Sequence, residues 1–349
     1  MTSFVSSGVP PLDPGQLLRL HHLVSLTRAV DERLWALSRQ GRAGFVLTAR
    51  GHEVAQIASA SVLRAGIDSA WPYYRDLGVG LALGVTPYEL FLGALAKAGD
   101  PHSGGRQLTA HFSSRVLRIG SVSSEVGAHL PHAVGAAYAA RVLGESSVAV
   151  CWFGDGASSE GGSHEAMNLA AIHRLAVVFI CENNGWAISV PESKQMAAPV
   201  ASRAAGYGMP GATIDGTDPV AVHSAAATAV ERARAGDGPS LLELLVPRLV
   251  PHSSQDDEGY RSDADRHAAA TKDPLVLLRS RLIDTGIADA AAIDAEQRSV
   301  KELVQVDLQR ALAEPEADSG RARRWMFADD QALPHQIGAG GGHTEGAVP

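Results

Sequence analysis

Residues 148–186, VAVCWFGDGASSEGGSHEAMNLAAIHRLAVVFICENNGW, form the stretch that decides the fold. An apolar, β-branched run at 148–153 leads into the glycine loop Gly154-Asp155-Gly156. A helical stretch follows from about Ser159 to Ile172, and a second apolar run covers 176–181. The order strand, glycine loop, helix, strand predicts a right-handed parallel βαβ crossover.

A second unit of the same kind follows this one. It contains a short strand near Ala212–Ile214, a helix with Asp218 as its N-cap that runs to Arg234, and a strand at Leu241–Val246. Strands and helices that alternate over roughly 120–250 predict an α/β protein with a doubly wound parallel sheet covered on both faces.

The flanking segments are mainly helical. Apolar spacing predicts helices at Gln16–Gln40, at Glu53–Leu63, from Pro131 to Gly144 and over much of 272–325. The pattern weakens between Trp71 and Leu117, where we expect loops that carry Gly104, Gly105 and Arg106. We therefore expect a flexible arm at 1–14, one α/β domain at 15–330 with helical N- and C-terminal extensions, and a disordered, glycine-rich tail at 331–349.

Composition limits the class of protein. The 349 residues are 45% hydrophobic, and 30 Lys and Arg against 38 Asp and Glu give a net charge of −8. This is globular composition, and its sign argues against nucleic-acid or anionic-membrane partners. Cys151 and Cys181 lie in apolar runs and are expected to be buried, reduced thiols. The N-terminal residues do not resemble a signal peptide and the run Leu175–Cys181 is too short to span a membrane, which predicts a cytoplasmic protein.

Two polar loops leave neighbouring predicted strands at their carboxyl ends, where ligands bind in open α/β sheets. One is Gly154–Ser158 and the other is Glu182–Trp186. A carboxylate and a carboxamide oxygen suit Mg²⁺, while the glycines let the backbone approach phosphate oxygens. A lone Gly-Asp-Gly also fits a tight turn, but the two loops together predict a magnesium–diphosphate site. The chain has no P-loop, dinucleotide fingerprint, nucleophile elbow or zinc spacing.

A family resemblance rests on these and other motifs. Gly154-Asp155-Gly156, followed after 26 residues by Asn183-Asn184, resembles the thiamine diphosphate fingerprint. The stretches YYRD (73–76), GDGASSEG (154–161) and CENNGWAIS (181–189) resemble the α subunit of 2-oxo acid dehydrogenases (first component). GGRQLTAH (104–111), VPHSSQDD (250–257) and WMFAD (325–329) are similar to its branched-chain (3-methyl-2-oxobutanoate) type. The similarity covers about 15–330 and implies the thiamine diphosphate-binding fold.

The resemblance implies thiamine diphosphate and Mg²⁺ as cofactors and assigns residues to them. Asp155 and Asn184 would bind the metal by side chains and Trp186 by its carbonyl oxygen. Gly154, Gly156, Ala157, Tyr74 and Arg75 would contact the diphosphate, where a guanidinium suits phosphate oxygens. Ser124 and Val126 would meet the aminopyrimidine ring, with Val126 holding the cofactor bent, and a core valine is the alternative interpretation of Val126.

The same resemblance makes His252 the active-site histidine, in contact with the cofactor and on a mobile loop at Pro251–Ser262. A histidine that titrates near neutral pH can donate a proton to the reacting carbonyl and to lipoyl sulfur. A solvated loop histidine is the alternative. The residues expected to order the loop are Arg248, Asp256, Asp257, Tyr260 and Arg261.

The implied function is oxidative decarboxylation of a 2-oxo acid, with branched-chain acids favoured. Thiamine ylid attack and loss of CO₂ precede acyl transfer to a lipoyl-bearing acyltransferase. A glutamate that faces the aminopyrimidine would come from a separate β subunit in an α2β2 heterotetramer. We expect the helix at 16–40 to cover both the sheet and a second chain, through Leu17, Leu20, Val24, Leu34 and Trp35.

Two alternatives remain open. A pyruvate or acetoin dehydrogenase α subunit is disfavoured by Gly-Arg-Gln, rather than a Gly-Gly-Ser run, before His111. A non-catalytic assembly subunit is disfavoured by the intact Asp155, Asn184, Arg75 and His252. The sequence does not decide which 2-oxo acid is preferred.

Some positions depart from the family pattern. Glu182 stands where branched-chain relatives can place an arginine at the diphosphate. Ala128 and His129 stand where animal enzymes use Thr and Gln beside a structural potassium ion, so potassium binding is left open. Ser253 and Ser262 resemble regulatory phosphorylation positions, but a sequence does not show that a kinase acts on them.

Overall fold

The computed structural model describes residues 10–323, and within them the chain forms seven strands and eleven α-helices. The strands are β1 (Ser69–Trp71), β2 (Ala149–Gly154), β3 (Val177–Asn183), β4 (Trp186–Ala187), β5 (Val190–Pro191), β6 (Gly211–Asp215) and β7 (Ser240–Leu245). The helices are α1 (Pro14–Arg39), α2 (Glu53–Ala60), α3 (Leu77–Leu83), α4 (Pro87–Ala94), α5 (His129–Leu143), α6 (Gly161–Ile172), α7 (Glu192–Gln195), α8 (Pro219–Arg234), α9 (Asp263–Ala270), α10 (Pro274–Asp284) and α11 (Ala290–Ala313). Both predicted strand–helix–strand units are confirmed, with small shifts at their ends.

Five parallel strands form the central sheet in the order β1–β2–β3–β7–β6, and β4 and β5 form a separate hairpin. The register places Gly154 beside Glu182 and Asn183 beside Leu245, so the ends of β2, β3 and β7 lie along one edge. The loops that follow these strands therefore meet at that edge, as the sequence predicts.

Alternate side chains of the sheet enter two apolar layers. Val150, Trp152 and Ile180 pack in the layer that contains α1, α2 and α8, whereas Cys151 and Cys181 pack in the layer that contains α5 and α6. The two cysteines are free and fully buried, and burial raises the pKa of both thiols. The prediction of buried, reduced thiols is confirmed, and so is the double winding of the sheet.

The winding direction reverses at the outer strand β6. The chain passes from β1 to β2 to β3 as successive neighbours, moves to the edge at β6, and returns to β7 between β3 and β6. Because right-handed crossovers in opposite directions place their helices on opposite faces, α8 lies on the other side of the sheet from α6.

The loops expected at Gly104, Gly105 and Arg106 are confirmed, but the weak pattern between Trp71 and Leu117 does not reveal α3 and α4, which lie in this segment. Helix α3 contains two glycines that allow close packing: a Cβ at Gly80 would lie 2.8 Å from the Phe112 ring, and one at Gly78 would lie 2.7 Å from Gln56. Helix α4 begins with a capping box formed by Thr86 and Glu89, a signal that is present in the sequence.

Helix α1 packs within the chain on more sides than expected. It contacts α2, α3, α4, α10 and α11, and all five residues predicted to cover a second chain as well are buried there: Leu17, Leu20, Val24, Leu34 and Trp35. The prediction that these residues also cover a second chain is therefore wrong.

The predicted terminal segments are only partly described. Helix α1 begins at Pro14 with Asp13 as its N-cap, so the last residues of the predicted arm at 1–14 are structured, and residues 1–9 lie outside the described part. The WMFAD segment and the predicted tail at 331–349 also lie outside it. Within residues 10–323 no helix is long and apolar enough to cross a membrane.

Candidate active site

A cavity of about 430 Å³ opens at the carboxyl edge of the sheet. The ends of β1, β2 and β3 and the loop after β7 all contribute to its wall. Every residue that the sequence predicts for the site lines this one cavity: Tyr74, Arg75, Ser124, Val126, Gly154, Asp155, Gly156, Ala157, Asn184, Trp186 and His252.

Asp155 begins the 3₁₀ turn Asp155–Ser159 that follows β2 and is only 1% exposed. Gln195 of α7 donates a hydrogen bond of 2.8 Å to its Oδ2. The β4–β5 hairpin packs so closely that a Cβ on Gly156 would lie 2.9 Å from the Cβ of Ala187. Burial raises the pKa of Asp155 to about 6. Although Asp155 lies in a loop after a strand, it is therefore a buried carboxyl rather than an exposed one.

The two asparagines after β3 have different environments. Asn184 lines the cavity, and its Oδ1 accepts a 3.1 Å hydrogen bond from the backbone N–H of Trp186. Asn183 instead donates to Glu192 and to Glu243, at 3.0 and 2.8 Å, and is not part of the cavity wall. Only the second asparagine is placed to meet a ligand.

The donor set suits a hard cation that is shared with a phosphate group. Asp155 and Asn184 supply side-chain oxygens, and a cation would favour the charged form of the buried Asp155 carboxyl. Among residues 10–323, no group of three His, Cys, Asp or Glu side chains is arranged to hold a metal by itself. This arrangement fits Mg²⁺, which commonly completes its octahedron with phosphate oxygens and water.

The guanidinium of Arg75 is held at the cavity wall by two loops. Its Nη1 donates to the carbonyl oxygen of Thr48 at 2.6 Å, and its Nη2 donates to Nδ1 of His252 at 3.3 Å. Asp31 of α1 in turn accepts hydrogen bonds from Thr48 Oγ1 and from the Ala49 N–H, at 3.0 and 2.8 Å. Arg75 is therefore a buried, oriented cation rather than a surface ion-pair partner.

His252 is half-buried, with its ring against Tyr74 at 6.2 Å between centroids. Burial, together with the charges of Arg75 and Arg248, lowers its pKa to about 3. The expectation that this histidine titrates near neutral pH does not hold in this structure. The main reason is the burial of the imidazole, and the charges of Arg75 and Arg248, which the sequence does not place beside it, add to the effect.

Polar contacts fix the loop at Pro251–Ser262. Asp256 accepts hydrogen bonds from the His252 N–H at 2.8 Å and from the Tyr260 hydroxyl at 2.6 Å. Arg261 forms an ion pair with Glu258, a residue that the sequence prediction did not single out. Asp257 instead accepts from the Gly259 N–H and is exposed. Mobility of this loop stays a prediction.

Two stacked arginines connect this loop to the hairpin. The Cζ atoms of Arg248 and Arg261 each lie 5.7 Å from the Trp186 ring centroid, and Arg248 is 1% exposed. Ser253 is buried and Ser262 is the N-cap of α9, accepting from the Asp265 N–H at 3.1 Å. The proposed loop-ordering roles of Arg248, Tyr260 and Arg261 agree with these contacts.

The opposite wall contains the segment with Ser124 and Val126. Val126 is 46% exposed, so it is not a core valine. Ser124 Oγ lies 2.5 Å from Nε2 of His111. The apolar residues Phe45, Leu47 and Ile188 also line the cavity, and sequence reasoning missed them. No motif marks Phe45 and Leu47, which tertiary packing brings to the site through a bridge between Leu47 and Ser253.

The positions that depart from the family pattern have defined roles. Glu182 is fully buried outside the cavity wall, accepting from Tyr73 and Gln56 at 3.0 and 3.2 Å, and burial raises its pKa to about 7. His129 lines the cavity, and its Nε2 donates to the Trp152 carbonyl at 2.6 Å. Neither Ala128 nor His129 has a side-chain oxygen to offer a potassium ion.

A parallel α/β sheet that directs a buried aspartate, an asparagine and an arginine into one cavity defines the class of enzymes that bind a diphosphate cofactor at strand ends. The family model "Dehydrogenase E1 component" matches residues 21–319. The chain therefore belongs to this family of thiamine diphosphate-dependent oxidoreductases, which confirms the family that the sequence motifs indicate.

Individual relatives agree with this assignment. The chain is 44% identical to the 2-oxoisovalerate dehydrogenase subunit alpha of Bacillus subtilis (strain 168), over 82% of this chain and 87% of that protein. It is 43% identical to the 3-methyl-2-oxobutanoate dehydrogenase subunit alpha of Mycobacterium tuberculosis, over 78% and 72%. It is 34% identical to the mitochondrial 2-oxoisovalerate dehydrogenase subunit alpha of Homo sapiens, over 94% and 73%.

Proposed function

We propose that this chain is the α subunit of a branched-chain 2-oxo acid dehydrogenase. The enzyme would decarboxylate 3-methyl-2-oxobutanoate and related acids oxidatively and transfer the acyl group to lipoyl groups. The observation that carries this proposal is the single cavity that brings Asp155, Asn184, Arg75 and His252 together in a dehydrogenase E1 chain. The names of the relatives support the branched-chain class.

Thiamine diphosphate with Mg²⁺ would bind where Asp155, Asn184 and Arg75 line the cavity. Asp155, Asn184 and the carbonyl oxygen of Trp186 would hold the metal. Gly154, Gly156, Ala157, Tyr74 and Arg75 would contact the diphosphate, because glycine admits close approach and guanidinium matches phosphate oxygens. Ser124 and Val126 would meet the aminopyrimidine ring. When bound, the cofactor supplies the carbon nucleophile and the electron sink for decarboxylation.

His252 is positioned to handle a proton at the reacting end of the cofactor. Its neutral imidazole accepts from Arg75 in this structure. A diphosphate on Arg75 would offset the positive charge that lowers the pKa of His252. The imidazole would then carry a proton closer to neutral pH and donate it to the substrate carbonyl oxygen or to lipoyl sulfur.

The apolar part of the cavity supports a branched acyl group. Phe45, Leu47, Val126 and Ile188 all line it. Aliphatic and aromatic side chains favour a branched hydrocarbon chain over the single methyl group of pyruvate, because each additional buried methylene contributes about 0.8 kcal/mol.

The proposed protein partners would supply groups that a single α/β domain does not contain. We propose that a β subunit supplies the glutamate that faces the aminopyrimidine, that the assembly is α2β2, and that a lipoyl-bearing acyltransferase receives the acyl group. A cytoplasmic location belongs to the same proposal.

Co-expression with the β subunit tests this function. The purified complex should decarboxylate 3-methyl-2-oxobutanoate with higher kcat/KM than pyruvate, and only with thiamine diphosphate and Mg²⁺ present. Asp155→Asn should abolish the activity, whereas Asp284→Asn, at an exposed position on α10, should leave it unchanged. A complex that prefers pyruvate would contradict the branched-chain assignment, and one that does not bind the cofactor would indicate an assembly subunit.

A further inference from the structure

The backbone of Ile188 has an uncommon conformation for its residue type. Ile188 lies in the turn between β4 and β5 with φ +53°, in the left-handed region. A β-branched side chain is strained there, and tight hairpin turns of this kind favour Gly, Asn or Asp. Isoleucine is therefore an unfavourable residue for the backbone conformation at this position.

Arg248, a buried residue outside the hairpin, contacts the turn in this conformation. Arg248 Nη1 donates a 2.8 Å hydrogen bond to the carbonyl oxygen of Ile188. Arg248 is itself buried and lies over the ring of Trp186, which precedes Ile188 in the hairpin. Arg248 thus contacts both the carbonyl oxygen of the left-handed residue and the strand that leads into the turn.

Core packing does not explain why the residue is isoleucine. The Ile188 side chain is 55% exposed, and it lines the cavity together with Phe45 and Val126. A strained residue whose side chain is half exposed at a cavity contributes little to folding, and strain of this kind concentrates at functional sites.

We propose that Ile188 is a specificity-determining residue that contacts the branched acyl chain of the substrate. This inference rests on the function proposed above. The left-handed turn places an aliphatic side chain at a cavity that Phe45, Leu47 and Val126 also line. Contact with the substrate's hydrocarbon branch would explain why the residue is isoleucine at a position where glycine suits the backbone better.

The test compares Ile188→Gly and Ile188→Val in the complex with the β subunit. We expect Ile188→Gly to lower the ratio of kcat/KM for 3-methyl-2-oxobutanoate to that for pyruvate by about 10-fold or more, since even one methylene in an apolar pocket discriminates about 10–200-fold. Ile188→Val, which keeps the branch, should retain most of the ratio. The Tm of Ile188→Gly should equal or exceed that of the wild type, because glycine relieves the strain.

Ala96→Gly is the matched control. Ala96 is an exposed non-glycine residue with φ +51° and is not part of the cavity wall. This substitution should also keep or raise the Tm, but it should leave the substrate ratio unchanged.

Three results would overturn the inference. An unchanged ratio in Ile188→Gly would show that the side chain does not contact the acyl chain. A lowered Tm would show that Ile188 stabilises the fold. Dissociation of the complex in sedimentation would make Ile188 an interface residue. A wild-type complex inactive on both acids would instead overturn the proposed function, and the inference with it.

Discussion

Burial raises the pKa of Asp155 to about 6, from an ordinary value of 3.8. A carboxyl group whose pKa is raised in the fold contributes stability that is fully present below about pH 3.8 and is lost as the pH rises through about 6. At neutral pH the ionised Asp155 therefore destabilises the chain, and a cation bound to it would remove this effect.

Replacement of Asp155 by Asn should therefore have opposite effects on folding stability and on cofactor binding. We expect Asp155→Asn to raise the Tm without cofactor at about pH 7.5, because a buried charge is removed. The same change should abolish Mg²⁺-dependent binding of thiamine diphosphate in calorimetry with the β subunit. In the wild type, cofactor affinity should fall about 10-fold per pH unit below pH 6 as the carboxyl is protonated. Normal affinity in the variant would remove Asp155 from the metal site.

Replacement of His252 tests its role in acyl transfer. His252→Ala should leave cofactor binding close to normal, since no phosphate contact is lost. It should lower lipoyl acylation by about 10²–10⁴-fold, the usual contribution of one general acid–base group. Decarboxylation measured with an artificial electron acceptor should fall less. His267→Ala, at an exposed position on α9, is the control. If both activities persist in His252→Ala, this histidine has no part in the chemistry.

At the scale of elements, a charged cluster joins α1 to α11. Glu296 of α11 has its Oε1 2.8 Å from Nδ1 of His22 and its Oε2 3.3 Å from Nδ1 of His21. Although burial opposes it, the hydrogen bonds from both histidines lower the pKa of Glu296 to about 2. The hydrogen bond to Glu296 raises the pKa of His22.

The two shifts limit the pH range of this helix contact. The stability that Glu296 contributes is fully present above its ordinary pKa of 4.5 and is lost as the pH falls through about 2. The stability that His22 contributes is fully present below its ordinary pKa of 6.5 and is lost as the pH rises through its raised pKa. Glu296→Gln should therefore lower the Tm more at about pH 5.5 than at about pH 9. Glu302→Gln, at an exposed position on α11, should show no such pH dependence. Equal losses at both pH values would exclude the histidine pairing.

At the scale of the whole molecule, we expect a second chain to bind where large apolar side chains are exposed. Helices α5 and α6 pack together, and the rings of Tyr138 and His173 meet edge to face at 5.4 Å between centroids. Large apolar side chains stay exposed on this pair of helices: Tyr138, Val142, Leu143, Leu169 and Ile172. We call these residues the α5–α6 face. Exposed patches of this kind mark association surfaces.

We therefore expect the isolated chain to self-associate or precipitate, and the β subunit to restore a defined heterotetramer. Ile172→Glu on the α5–α6 face should weaken that assembly in sedimentation experiments, because an unpaired charge would be buried. Val306→Glu on α11 should not. The reverse result would place the interface on α11, and a well-behaved monomer without affinity for β would contradict the association prediction itself.

The sequence predicts an element correctly where the local pattern of apolar residues is enough to determine it. Strands β2 and β3 are buried on both faces, so their apolar runs are continuous and easy to recognise. Strand β1 has only three residues, and α3 contains glycines whose packing partners lie far along the chain. The position of Asp155 after a strand is visible in the sequence, but its hydrogen-bond donor Gln195 lies 40 residues later. Local pattern identifies strand ends, and tertiary packing sets the environment of each site residue.

The two cysteines provide a native probe of cooperative opening. Cys151 and Cys181 lie on neighbouring strands, fully buried beneath the α5–α6 layer of the core. A thiol reagent reaches either sulfur only after the surrounding sheet opens, so the labelling rate under native conditions reports the population of that open form. Equal protection of both thiols would mean that β2 and β3 open as one unit. Faster reaction at Cys181 would mean that β7 detaches first and removes the loop that contains His252, so that the active site is lost before the core.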